Sequence, residues 1–207
     1  MQILKPYIIE LAETLSGHWY KVWKAKPHPS IPYTGDPVKG RYLGCFPSST
    51  TILNAYPQSP QLTQWIAEQG WHESQRIKSE AGERGTRIHD ACDLLEDGTE
   101  LVKKDYSLEE WFKICSFVSF HNEYKPVLIA KEFSVFSLRG KYGGRLDRIY
   151  MIAGEITLLD LKSSSSIYEH YPLQFASYAK AVEETTDLKI AQTACLQLGG
   201  RNKNGYR

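Results

Sequence analysis

Only four cysteines occur in the 207 residues, and no two of them stand in a CxxC spacing. Cys45, Cys92, Cys115 and Cys195 lie far apart, so neither a zinc site nor an iron–sulfur cluster finds the ligand grouping it needs. They read as reduced core thiols. Long apolar runs are missing as well: the opening "MQILKPYIIELAETL" is broken by Lys5, Pro6, Glu10 and Glu13, which fits neither a signal peptide nor a membrane span. The expectation is an intracellular protein with no membrane partner. No P-loop is present, which excludes ATP-driven unwinding by this chain. Net charge is also scarce. Twenty-five basic and 24 acidic side chains leave +1, so a nucleic-acid role has to rest on a local basic surface. Internal repeats and low-complexity tracts are absent.

What is present is a chain that is 42% hydrophobic, long enough for a single well-cored domain spanning 1–207. Residues 1–46 are aromatic-rich and punctuated by Pro27, Pro29, Pro32 and Pro37, and read as an irregular segment or short strands. A helical part follows over 47–125. It starts with a capped helix at "SSTTILNAY" and a second, "SPQLTQWIAEQG", closed by Gly70. In the long helix after it, Ile77, Ala81, Gly85, Ile88, Cys92 and Leu95 form one stripe that Gly98 ends. The last helix starts at "SLEE", where Ser107 and Glu110 have capping-box spacing, and carries Trp111, Cys115 and Val118 on one side.

Residues 126–200 read as the αβ core. Three strands between Val127 and Lys162 are joined at "LRGKYGG" and "IAGE", a helix covers 170–186, and "KIAQTACLQLGG" supplies one more strand. The fold class is α/β, a central mixed β-sheet flanked by helices. The end, 201–207 "RNKNGYR", reads as a hairpin whose second strand is clipped.

The stretch "GGRLDRIYMIAGEITLLDLKSSSS" places acids in two runs built to be buried, and such charges are costly unless paired or bound to a metal. If Ala153-Gly154 is a two-residue hairpin loop, cross-strand pairs have numbers summing to 307 and Asp147 faces Asp160. Their Cβ atoms would then be ~4.5–5.5 Å apart, about the reach of one divalent ion. Lys162, two residues on, points to the face of Asp160. Oxygen donors so placed suit magnesium or manganese, and an ammonium beside the ion can orient water or steady charge on a phosphate. A plain alternative is structural pairing of Asp147 and Asp160 with Arg145, Arg148 or Lys162.

The ordered motifs "RGTRIHD" on a helix, "KEFSVFS", "GGRLDRI" and "LLDLKSS" on successive strands, and "QFASYAK" on the next helix resemble the PD-(D/E)XK nuclease superfamily. The likeness is to its RecB-like exonuclease branch, which includes phage and mitochondrial genome maintenance exonucleases, and it covers about residues 45–200. The resemblance implies a restriction-endonuclease-like core with an N-terminal helical extension. It makes Asp147 and Asp160 metal ligands, with the Leu161 carbonyl and His89 completing the set around one or two Mg²⁺ or Mn²⁺ ions, and Lys162 the catalytic lysine. Glu132 would assist metal binding, and Gln174 and Tyr178 would position the scissile phosphate or the lysine. No iron–sulfur cluster is expected.

Read without that likeness, His89 is a partly buried or surface histidine, Glu132 a solvent-facing neighbour of Lys131, and Gln174 and Tyr178 an exposed pair. Arg139, Lys141, Arg145 and Arg148 cluster at the second strand, Arg84 and Arg87 flank His89, and phosphate contacts would fall to a few groups of this kind. Arg84, Arg87, Arg145 and Ser163 are the named candidates for DNA contact. Trp19, Tyr20 and Trp23 either pack a core or stack on unpaired bases.

The resulting expectation is a metal-dependent deoxyribonuclease acting from free or single-stranded DNA ends in recombination, repair or replication. The setting would be a bacterial or phage-infected cytoplasm, or a mitochondrion, with recombination or replication proteins as partners. A non-catalytic nucleic-acid-binding module of the same fold and a structure-specific endonuclease are the alternatives.

Overall fold

The computed structural model describes residues 7–26, 38–164, 166–200 and 205–207. It is a mixed α/β structure with two sheets. The first holds β1 (Tyr7–Thr14), β2 (Gly17–Lys26) and β3 (Val38–Pro47) in that order. β1 and β2 pair antiparallel from Tyr7↔Lys24 to Thr14↔Gly17, and β3 joins the other edge of β2 with register shifts on either side of Trp23. Of the two readings of 1–46, irregular segment or short strands, the described residues take the second, in strands of eight to ten residues. Its signal lies in β2, where Tyr20 and Val22, 3% and 0% exposed, flank the exposed Lys21, the alternation of a half-buried strand. The prolines that argued against strands fall between β2 and β3. Residues 27–37, which hold all four, lie outside the described residues.

Four α-helices follow. Ser48 caps α1 (Ser49–Leu53) by accepting from the Thr51 N–H at 2.9 Å, and Ser59 caps α2 (Pro60–Gln69), which ends at Gly70. α3 (Trp71–Glu96) buries Ser74, Ile88, Ala91 and Cys92. The expected stripe holds only over its second half, since Ala81 is exposed and Ile77 and Gly85 are half-buried. Alanine and glycine have little apolar area to gain from burial.

α4 (Leu108–Tyr124) starts with the expected capping box, the Ser107 hydroxyl and the Glu110 carboxylate each closing on the other's backbone N–H. Its buried side is Ile114, Phe117 and Phe120 rather than Trp111, Cys115 and Val118. Phenylalanine rings remove far more apolar surface from water than cysteine or valine, and they set the helix rotation. No disulfide joins the four cysteines, as expected, but only Cys92 is in the core; Cys45 and Cys115 are exposed.

The second sheet has the order β4 (Val127–Ser137), β5 (Tyr142–Ile152), β6 (Glu155–Lys162), β7 (Gln192–Gln197), with α5 (Tyr171–Thr185) between the last two. β5 and β6 are antiparallel, from Ile152↔Glu155 to Arg148↔Leu159. Their loop is Ala153-Gly154, with φ 50 and 86, the left-handed pair of a type I′ turn. Beside β6, the Ala191 N–H donates to the Ile156 carbonyl at 2.9 Å and the Leu198 N–H to the Lys162 carbonyl at 2.8 Å. The numbers rise together, so β6 and β7 are parallel, and a parallel pair needs a crossover such as α5.

The chain divides into two compact units, the first formed by Met1–Tyr56, Leu128–Leu159 and His170–Ala194, the second by Pro57–Val127, Asp160–Glu169 and Cys195–Arg207. Val135, Leu146, Ile149, Leu158, Tyr178, Ala181 and Val182 form one core cluster of the first. The second packs α3 on α4. There Tyr206 stands edge-on to Phe120, ring centroids 5.8 Å apart, and its hydroxyl donates to Glu123. Residues 201–204 of the expected terminal hairpin lie outside the described residues. Its closure is seen in the Leu198↔Tyr206 bridge and in two backbone bonds between Gln197 and Arg207. Among the described residues no helix is long and apolar enough to cross a membrane.

Candidate functional site

In the second unit, β6 delivers Asp160, Leu161 and Lys162 in one extended run. Asp160 is 2% exposed and Leu161 0%. The Lys162 ammonium forms an ion pair with the Asp160 carboxylate, its side chain 20% exposed. That pairing is what an i, i+2 spacing on a strand allows, since both side chains leave the same face. Burial makes it consequential, because removing one partner would leave the other charged in a poorly solvated place.

Ser163 continues from Lys162, and α3 comes against it. A Cβ on Gly85 would stand 3.2 Å from the Ser163 hydroxyl, so glycine there lets the helix approach. His89 is four residues on, on the same helical face, and is half-buried. Arg84 is exposed. Arg87 turns to α4 instead, its Nε donating to Glu110 at 2.8 Å and a terminal nitrogen to the Asp105 carbonyl at 2.8 Å. The Arg87 guanidinium, helped by the Ser107 N–H, holds the Glu110 carboxyl below its ordinary range.

In the first unit, Asp147 is half-buried on β5. It directly precedes Arg148, whose partner Leu159 is the last observed rung of the β5/β6 ladder, and Asp160 directly follows Leu159. Arg148 itself is 0% exposed, which removes it from the solvent-facing basic cluster expected around β5. Its place between Leu146 and Tyr150, both 0% exposed, is the signal that marks it as an interior residue.

Glu132 lies in the interior of β4 at φ 48, a left-handed conformation that costs a non-glycine residue about 1–2 kcal/mol. Arg145 donates to its carboxylate through Nε at 2.6 Å. Neither the bend nor the pairing was legible in "KEFSVFS".

Gln174 and Tyr178 are buried at 7% and 4% exposure, and the Gln174 amide donates to the Tyr178 hydroxyl at 3.0 Å. This corrects the exposed pair. The Tyr178 ring lies over Gly144, where a Cβ would meet it at 2.4 Å, and the Tyr20 ring lies over Gly143, where a Cβ would meet it at 2.6 Å. The two glycines of "GGRLDRI" are thus seats for aromatic rings. Burial raises the Tyr20 hydroxyl above its usual range, against a lowering by Arg145.

The structure therefore brings together Asp160 with Lys162, Glu132 with Arg145, Gln174 with Tyr178, and the Gly85–His89 face of α3 with Ser163. Among the described residues no group of three or more His, Cys, Asp or Glu is gathered as a metal site. Of the ligands that the resemblance implies, the carboxylates of Asp147 and Asp160 and the Leu161 carbonyl are oxygen donors of the kind that magnesium or manganese accepts, whereas the His89 imidazole suits softer transition metals. No family model matches the chain, and neither does any curated protein.

Proposed function

We propose that the chain is a divalent-metal-dependent DNA exonuclease of PD-(D/E)XK type, hydrolysing phosphodiesters from free or single-stranded ends. The observation that carries this reading is the β5/β6 ladder. Its rungs run from the Ala153-Gly154 turn to Arg148↔Leu159, and the pairing of Asp147 with Asp160 is inferred by continuing that register one step.

On this reading Asp147, Asp160, the Leu161 carbonyl and His89 hold one or two Mg²⁺ or Mn²⁺ ions, with Glu132 assisting. Metal bound there supplies Lewis acidity toward a phosphate oxygen and a water of lowered pKa. The chain's own groups do the rest. Asp160 holds the Lys162 ammonium by its ion pair on the strand face. The ammonium orients the attacking water and offsets negative charge as the phosphorus is attacked. Gln174 fixes the Tyr178 hydroxyl, and that pair positions the phosphate or the lysine. Arg84 and Ser163 contact flanking phosphates. Arg145 and Arg87 retain guanidinium N–H groups beyond those given to Glu132 and Glu110 and do likewise.

The Asp160–Lys162 ion pair also fits a second reading, a binding module of the same fold in which that pair is structural. Incubation with end-labelled linear DNA and with covalently closed circles, in magnesium, manganese or EDTA, separates these. The exonuclease releases label from the linear DNA only with metal and spares the circle. Asp160→Ala and Lys162→Ala should each lower the rate by about a hundredfold or more while DNA retention stays near wild type in the fraction that circular dichroism shows to be folded. A gel shift without metal-dependent cleavage supports the binding module, cleavage of the circle supports an endonuclease, and undiminished cleavage by either variant overturns the site.

A further inference from the structure

The sheet β1-β2-β3 has two unlike faces. Directly opposed residues in an antiparallel pair share a face, so Tyr20 and Val22, both buried, mark the inner one. The other face carries Trp19, Lys21 and Trp23 in a row along β2, at steps of about 7 Å. Trp23 is opposed by Tyr42 of β3, and Lys21 by Glu10 of β1.

These rings are not core. Trp19 and Trp23 are half-buried and Lys21 is exposed, while Tyr42 is 51% exposed. Trp23 and Tyr42 meet with ring centroids 5.4 Å apart and planes tilted by 51°, so neither covers the other's π-face. The Lys39 ammonium lies over one face of the Trp23 ring, 4.3 Å from its centroid, and also pairs with Glu10.

The face of the two tryptophans carries Lys21 and Lys39 against Glu10, while Lys24 and Lys26 stand on the side of Tyr20 and Val22 by the strand's period of two and Arg41 borders Tyr42. All five basic side chains are exposed. A basic strip with interleaved flat rings matches one chemistry, that of an unpaired polynucleotide, whose bases stack and whose phosphates seek cations.

We infer that this face is a binding platform for a single-stranded nucleic acid: Trp23 and Tyr42 stack on successive bases, Trp19 takes a base further along, and Lys21 and Lys39 meet the phosphates between. The platform is a site of its own and needs neither Asp160 nor a metal, so it is tested with both the metal and cleavage removed.

Twenty-nucleotide oligo(dT) and oligo(rU) are titrated into the full chain in EDTA, with tryptophan fluorescence and anisotropy as readouts at several salt concentrations. Binding should quench the fluorescence. Trp23→Ala and Tyr42→Ala should each weaken it about tenfold, Lys21→Gln should lower the salt slope by about one phosphate contact, and Trp23→Phe should lose most of the quench while keeping most of the affinity. Equal effects on both oligomers mean that stacking and phosphate contacts carry the recognition; a preference for one names the source. Undisturbed affinity in folded Tyr42→Ala and Trp23→Ala overturns the inference, as does failure of both oligomers to bind. So does a wild-type dimer that these variants dissolve, which would make the face an interface between copies.

Discussion

Two hairpins in this molecule obey one local rule and treat charge in opposite ways. In both, a two-residue loop sets a constant register: Leu15-Ser16 between Thr14 and Gly17, and Ala153-Gly154 between Ile152 and Glu155. The first hairpin leaves its lysines in water, where Lys21, Lys24 and Lys26 incur almost no desolvation. In the second, β6 is buried from Thr157 to Leu161, and Asp160 sits at the deep end with 2% exposure. A charge at the surface needs no explanation beyond solubility. One buried on a strand flanked by leucines does, because its desolvation costs several kcal/mol unless partners restore it, and Lys162 is the partner observed.

The sharpest way to break this contrast is to disturb the packing under one hairpin and the surface of the other. Gly144→Ala drives a methyl group into the Tyr178 ring and should cost about 1–3 kcal/mol of stability, whereas Lys24→Ala on the first hairpin should stay within about 0.5 kcal/mol. Urea denaturation of both variants checks this. Equal losses would mean that β5 is no more tightly packed than β2.

Glu110 sharpens the comparison from another side, as a buried acid whose partners are all visible: Arg87 at 2.8 Å and the Ser107 N–H at 2.8 Å. Its folded-state pKa is lowered, first by Arg87, so its contribution is present above the unfolded carboxylate value of about 4.3. That contribution is lost as pH falls through the lower folded value. Glu110→Gln should therefore cost about 1 kcal/mol at pH 7 and less at pH 3. Thermal melts at the two pH values should converge; a constant gap would show that the capping geometry, not the charge, is what matters.

The β5/β6 register was legible because a two-residue loop leaves one alignment, and Ala153-Gly154 announces it. The helices were legible from their caps, at Ser48, Ser59 and Ser107. Side-chain partners distant in the chain were not: nothing in "RGTRIHD" points to Glu110, 23 residues on, and nothing in "GGRLDRI" points to the left-handed Glu132. The N-terminal strands were one of two readings because Pro27, Pro29, Pro32 and Pro37 crowd the sequence beside them. Burial of Arg148 was hidden because residue type suggested solvent while strand position decided otherwise. Of the candidate site, the order of groups along β6 could be read, and so could the helix bearing His89 and, as the plain alternative, the Asp160–Lys162 pair; the Arg145–Glu132 and Arg87–Glu110 pairs could not.

The central claim is that Asp147 and Asp160 share a divalent ion. Calorimetric titration of Mn²⁺ into the wild type and into Asp147→Ala, Asp160→Ala and the double variant tests it most directly. A shared site predicts one saturable binding event in the wild type, loss of it in either single variant, and no further loss in the double. Manganese binding that survives both single substitutions, or losses that simply add, would contradict the account.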